Sequence, residues 1–145
     1  MTVTPIHHVP MKPEYNSPYS AAFAVEDARL VFFSGCCAVP IYHAHPHERQ
    51  TEKEWLSGGI GEQTERTFAH IKEVLGAAGA DFADVVKLTI YMTDMSGQDV
   101  LNEISARVFG RDNPPARTLV KVAGLAHPGM LIEIDGVAAV AKRAG

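Results

Sequence analysis

Between residues 60 and 94 the hydrophobic period changes across a single glycine, and this switch restricts the folds open to the chain more than any other feature. Ile60, Thr64, Thr67, Phe68, Ile71, Val74, Leu75 and Ala78 recur at three- and four-residue steps, with Glu62, Glu65, Arg66, Lys72 and Glu73 between them. That spacing predicts an amphipathic helix of about five turns. Ser57-Gly58-Gly59 precedes it and Gly79 follows it, a polar start and a glycine stop. Over residues 84 to 94 the pattern becomes an alternation, Val86, Leu88, Ile90 and Met92 against Lys87, Thr89 and Tyr91, which is the period of a strand. A helix and a strand with one apolar face each bury those faces in a layered α/β arrangement.

The flanking segments extend the pattern. Two short apolar runs, 19 to 25 and 29 to 34, surround Glu26-Asp27 and predict a β-hairpin. A shorter helix over about 98 to 109 places Leu101, Ile104, Val108 and Phe109 on one side, and Pro114-Pro115 forbids its continuation. Residues 116 to 122 and 130 to 140 alternate as two further strands, joined by a turn through His127-Pro128-Gly129. The expected order is ββαβαββ: one α+β domain over 1–145, with a single sheet and both helices on one face. Residues 1–17 read as an irregular lead-in, and 36–57 as a long inserted loop without periodicity.

Charge and composition exclude several functions. Thirteen Lys+Arg against seventeen Asp+Glu give 13 − 17 = −4, which does not supply the basic field that nucleic acid requires. No apolar run approaches the roughly 18–20 residues that span a bilayer, and the N-terminus lacks a secretory apolar segment, so we expect a cytoplasmic protein without membrane contact. An apolar fraction of 46% supports a core without staples, and the only cysteines, Cys36 and Cys37, are adjacent and cannot close a stabilising loop.

Candidate chemistry lies in three places. On the strand after Pro115, alternation puts Ala116, Thr118, Val120 and Val122 toward the core and Arg117, Leu119 and Lys121 on the other face. A guanidinium there suits a substrate carboxylate, and equally an exposed ion pair. Glu133 and Asp135 share one face of the last strand; if that strand pairs with the Arg117 strand, Arg117 and Glu133 project together, as a water-activating pair or a cross-strand salt bridge. His43, His45 and His47 alternate within the loop and could share a metal, but an ordinary polar loop explains them too, and we assign no metal ligand and no cofactor. Cys36 and Cys37 carry no mark of a lowered thiol pKa, and neither GxGxxG nor GxxxxGK[ST] occurs.

Several segments together resemble the Rid (YjgF) family: Ser17-Pro18-Tyr19-Ser20, Val31-Phe32-Phe33-Ser34-Gly35, Gly58-Gly59-Ile60 with Gln63-Thr64, Ala77-Ala78-Gly79, Asp84-Val85-Val86-Lys87, Asp94-Met95, Asn102, Pro115-Ala116-Arg117-Thr118 and Ile132-Glu133-Ile134. The resemblance runs from about Pro18 to Val140. It implies a chorismate-mutase-like fold, a homotrimer with sites in clefts between subunits, and cofactor-independent hydrolysis of enamine or imine acids, 2-aminoacrylate-like or 2-aminomuconate-like, to keto acid and ammonia. By motif, Arg117 resembles the carboxylate-binding arginine and Glu133 the water-orienting glutamate; Tyr19, Ser34, Gly35, Asn102 and Leu119 resemble the remaining substrate-binding positions. Leu119 stands where some deaminases have cysteine, and residues 36–57 exceed the usual loop. A non-catalytic small-molecule-binding or interaction protein using the same cleft is the alternative. The loop itself reads as a substrate-selecting lid, as packing on a neighbouring subunit, or as a metal clip.

Overall fold

The computed structural model describes residues 1–142. Six strands and three helices follow in the order β1 (Thr2–Ile6), β2 (Ala22–Glu26), β3 (Ala28–Cys36), α1 (Arg49–Trp55), α2 (Ile60–Ala77), β4 (Val85–Met92), α3 (Gln98–Phe109), β5 (Ala116–Lys121) and β6 (Ile132–Ala141). The main sheet has the order β3-β6-β4-β5. β6 runs antiparallel to both β3 and β4, and β4 runs parallel to β5 through the α3 crossover. Among the described residues, no helix is long and apolar enough to cross a membrane.

Both predicted long helices form where their periodicity places them. Glu62 reaches back to accept from the Gly59 N–H at 2.9 Å, satisfying one of the unpaired amides at the start of α2. At its other end Gly79 adopts φ 71°. This left-handed turn lets Gly79 N–H donate to Gly76 O at 3.0 Å and Ala80 N–H donate to Leu75 O at 2.9 Å, which ends the helix ahead of β4. The apolar faces of α2 and α3 cover one face of the sheet, where Phe68, Ile71 and Leu75 meet Leu88, Ile90 and Ile134. Thr64 and Thr67 are fully buried on the same stripe, and Thr67 satisfies its hydroxyl by donating to Gln63 O at 2.8 Å.

Four expectations change. The lead-in is not wholly irregular, because Thr2–Ile6 forms β1 and pairs antiparallel with β2. That pairing replaces the hairpin: β2 and β3 are separated only by Asp27, at φ 52°, yet they bond to β1 and β6 respectively. The segment 36–57 is not a featureless loop; it opens with buried Cys36, Cys37, Ala38 and Val39 and contains α1. β5 and β6 are not neighbours, since β4 lies between them. Parallel β4 and β5 can be joined only by a crossover, so β5 docks at the sheet edge and leaves the central position to β4.

Candidate functional site

The register decides which way each candidate side chain faces. Arg117 pairs with Leu88 and Leu119 with Ile90, both core residues on the helix side. Glu133 pairs with Tyr91, which points to the opposite, open face. The expected common face for Arg117 and Glu133 is therefore corrected: within one chain they lie on opposite sides of the sheet. On an edge strand both faces carry mixed residues, so the alternation of β5 did not reveal which one meets α3.

Arg117, Asn102 and Tyr19 form one group. Arg117 donates from Nη2 to Asn102 Oδ1 on α3 at 2.8 Å, and its guanidinium lies 5.9 Å from the centre of the Tyr19 ring. Its Nη1 is buried without a protein partner. Tyr19 is held there because the chain before β2 follows the β5 edge, with Ser20 bridged to Ala116 and Ser20 N–H donating to Pro114 O at 3.2 Å. Pro114 and Pro115, both buried, set the start of β5 beside this segment. The group lines a cavity of about 900 Å³ between α3, residues 7 to 21 and the turn before β5. Burial pulls the Arg117 pKa below its ordinary value, the direction that makes an anionic partner favourable.

Gly35 and Glu133 form a second group, with exposed Ser34 the neighbour of Gly35 on β3. The β3–β6 ladder shifts register between Phe33 and Cys36, and this bulge brings the Gly35 backbone against the Glu133 side chain. A Cβ on Gly35 would stand 2.9 Å from Glu133 Cδ and closer still to its carboxylate oxygen, so only glycine leaves the carboxylate its place. Burial, followed by the nearby Asp135 charge, pushes the Glu133 pKa up. A carboxyl tuned upward is suited to exchange protons nearer neutral pH.

The sequence reading missed the polar network around Glu133 on the open face. Tyr91 donates its hydroxyl to Asp135 Oδ2 at 2.9 Å, and Lys87 donates to Thr118 Oγ1 at 2.9 Å. Their signal was present in the alternation of β4, where Lys87, Thr89 and Tyr91 shared the face opposite the apolar residues. Gln63 was named only as part of the family motif and given no role. It is 1% exposed and ties three segments together, donating to Leu56 O at 3.1 Å and Gly129 O at 2.9 Å while accepting from Leu131 N–H at 2.9 Å. The cysteines stay outside the chemistry: burial first, then the charges of Cys37 and Glu133, pushes the Cys36 thiol up to about 12.

In comparisons with known proteins, a family model described as endoribonuclease L-PSP matches residues 10–140. Protein DfrA of Myxococcus xanthus is 35% identical over 131 residues, covering 90% of this chain and 92% of that protein. The human 2-iminobutanoate/2-iminopropanoate deaminase is 34% identical over 121 residues, 83% of this chain and 79% of the enzyme. Among solved structures, a protein of unknown function of the Rid family from Yersinia pestis, YyfB, superposes with a TM-score of 0.76 at 27% identity, covering 97% of this chain and all of that one. RidA from a Psychrobacter species gives a TM-score of 0.63 at 31% identity, over 88% of this chain and 93% of that chain.

Proposed function

The chain belongs to the YjgF/Rid family, and on that premise we propose that it is a hydrolytic deaminase, converting an enamine or imine carboxylic acid to the keto acid and ammonia. The observation that carries this reading is the half-used guanidinium of Arg117: one nitrogen is fixed by Asn102, and the other is buried, unpaired and beside a cavity. A substrate carboxylate offers the acceptor that Nη1 lacks, and Tyr19 closes the side of the guanidinium. Arg117 holds the substrate acid; Glu133 orients water and carries the proton. An enamine first takes a proton on carbon to become the imine. Water then adds to the C=N carbon while Glu133 accepts one of its protons and passes it to nitrogen, giving the amino carbinol; transfer of the hydroxyl proton to nitrogen as the C=O bond forms then breaks the C–N bond and releases ammonia. Every step is addition, elimination or proton transfer, so the chemistry calls for no redox or electron-sink cofactor. Ser34 and Gly35 shape the wall beside Glu133, and Leu119 lines the strand beside Arg117.

The opposite facing of Arg117 and Glu133 gives this reading its quaternary form. A complete site joins the Arg117–Asn102–Tyr19 group of one subunit to the Ser34–Gly35–Glu133 group of the next, and a homotrimer closes this head-to-tail contact. Supporting it, Phe32 is 74% exposed and Leu30 47% exposed on the open side of the sheet, an apolar surface that subunit contact would cover. RNA cleavage, which the family description names, finds no support in a chain of net charge −4. We place the enzyme in a reducing cytoplasm, where Cys36 and Cys37 remain thiols. The test is ammonia release from freshly generated 2-aminoacrylate and from 2-aminomuconate. Acceleration over buffer with either supports the deaminase; binding without acceleration in both cases assigns the cleft to a non-catalytic ligand-binding protein instead.

A further inference from the structure

Four histidines that the deaminase reading leaves unused converge where the segment after β3 meets the turn before β6. The ring centres of His43, His45 and His47 lie 4.5 to 4.6 Å apart, and His127 stands 4.7 Å from His47. Trp55 of α1 packs against His43 at 5.2 Å and His47 at 5.5 Å, forming an apolar wall. Alternate spacing put three of these rings within reach of one another; the fold added His127, eighty residues after His47.

The hydrogen bonds settle where the lone pairs point. His43 Nδ1 faces the carbonyl of Pro40, which can only accept, so Nδ1 carries the proton and Nε2 of the neutral ring carries the lone pair. His47 Nδ1 lies 2.8 Å from Glu52 Oε1, which imposes the same tautomer there. Both Nε2 atoms are buried and have no partner, and the His47 side chain is only 6% exposed. Two buried lone pairs without donors are each destabilising unless something fills the space between them. A nitrogen of exposed His45 completes a group whose ligand atoms all lie within 4.8 Å.

We propose that His43, His45 and His47 form a tri-imidazole site for a divalent transition metal of the zinc class, with Glu52 as the carboxylate behind His47. Neutral imidazole nitrogen suits Zn²⁺, Cu²⁺ and Ni²⁺, and not the oxygen-seeking Ca²⁺ or Mg²⁺. Tetrahedral ligands at roughly 2.0–2.1 Å from a zinc ion stand about 3.4 Å apart, so the group must contract modestly, and exposed His45 has room to move inward. The arrangement behind the ligands is that of a metal site: a carbonyl holds one ring and a carboxylate the other, fixing tautomer and orientation. Glu52 also lies 3.7 Å from His127 Nδ1, so occupancy couples the 43–47 segment through α1 to the turn leading into β6. The metal clips this inserted segment in place. This assignment departs from the sequence reading, which gave the histidines no metal, because spacing alone did not show that two of the nitrogens are buried and unpaired.

Direct binding tests it without any activity measurement, so its failure leaves the deaminase reading standing. The untagged full chain is stripped with a chelator, dialysed and titrated with Zn²⁺ alone by calorimetry, and Co²⁺ is added separately to read its visible spectrum. One equivalent of Zn²⁺ per chain and tetrahedral Co²⁺ bands are expected. His45→Asn, at an exposed position that leaves the fold intact, weakens binding at least about tenfold; Glu52→Gln weakens it by roughly 10–100-fold; His43→Ala with His47→Ala abolishes it. His7→Ala with His8→Ala, in the N-terminal segment, changes nothing. Binding that is substoichiometric, that survives His45→Asn, or that is lost with His7 and His8 overturns the proposal.

Discussion

Two glycines on the two sides of the sheet separate catalysis from stability. At Gly35 the three heavy atoms nearest an added Cβ all belong to the Glu133 side chain, with Cδ at 2.9 Å and Cγ at 3.1 Å. The far end of a glutamate can swing away, so Gly35→Ala costs little in folding but moves the carboxylate by an ångström or more. A displacement of that size is worth about 10²-fold in turnover. At Gly136 the same methyl meets the Lys87 carbonyl, Phe33 Cζ at 2.6 Å and Leu88 Cδ2 at 3.0 Å, which are backbone and packed core. Overpacking there costs about 1–3 kcal/mol, and each kcal/mol lowers Tm by roughly 2–8 °C in a domain of this size. The assay pairs ammonia-release kinetics with thermal melts on both variants. Gly35→Ala loses kcat with Tm nearly unchanged; Gly136→Ala loses Tm and keeps its activity per folded molecule. If Gly35→Ala turns over at the wild-type rate, Glu133 is not where the chemistry happens, and if both variants melt alike, the geometry of the bulge is wrong.

Further outcomes follow from the same geometry. Arg117→Ala lowers kcat/KM by about 10²–10⁴-fold, the loss of two charge-assisted hydrogen bonds at about 1.5–3 kcal/mol each, and Arg117→Lys recovers little because an ammonium lacks the planar fork; near-normal steady-state kinetics in either variant removes Arg117 from the site. Because burial raises the Glu133 pKa, the native state holds that proton to higher pH than the unfolded chain, so its contribution to stability is lost as pH rises from the ordinary carboxylate value through the raised one. Glu133→Gln therefore melts higher than wild type at neutral pH while losing turnover and the acidic limb of the pH–rate profile; an unchanged limb assigns that titration elsewhere. Light scattering gives about three times 15.7 kDa for the wild type, and Phe32→Glu, a charge on the exposed apolar face, yields monomers without activity; a monomeric wild type refutes the shared site. Iodoacetamide leaves Cys36 unlabelled in the folded protein at neutral pH, since its thiol is pushed up to about 12, and rapid labelling contradicts that burial.

What the sequence determined by itself was local. The two long helices, the strands β3 to β6 and the Gly79 stop follow from side-chain periodicity and from glycine's tolerance of positive φ, which act over a few residues and need no knowledge of the rest of the chain. The family motifs named Arg117, Asn102 and Tyr19 separately, and the fold brought them into contact. Pairing was decided by the tertiary structure. β2 lies one residue from β3 and still bonds to β1, and β4 enters between β5 and β6, because hydrogen-bonding edges are satisfied by whichever strand the whole fold delivers, irrespective of chain proximity. The faces of Arg117 and Glu133 were settled in the same way: a period of two says that residues alternate, and only docking of β5 beneath α3 says which set is inside. At the histidines, three were readable from their spacing, whereas Glu52, His127 and the unpaired Nε2 atoms depend on contacts between segments that no local pattern encodes.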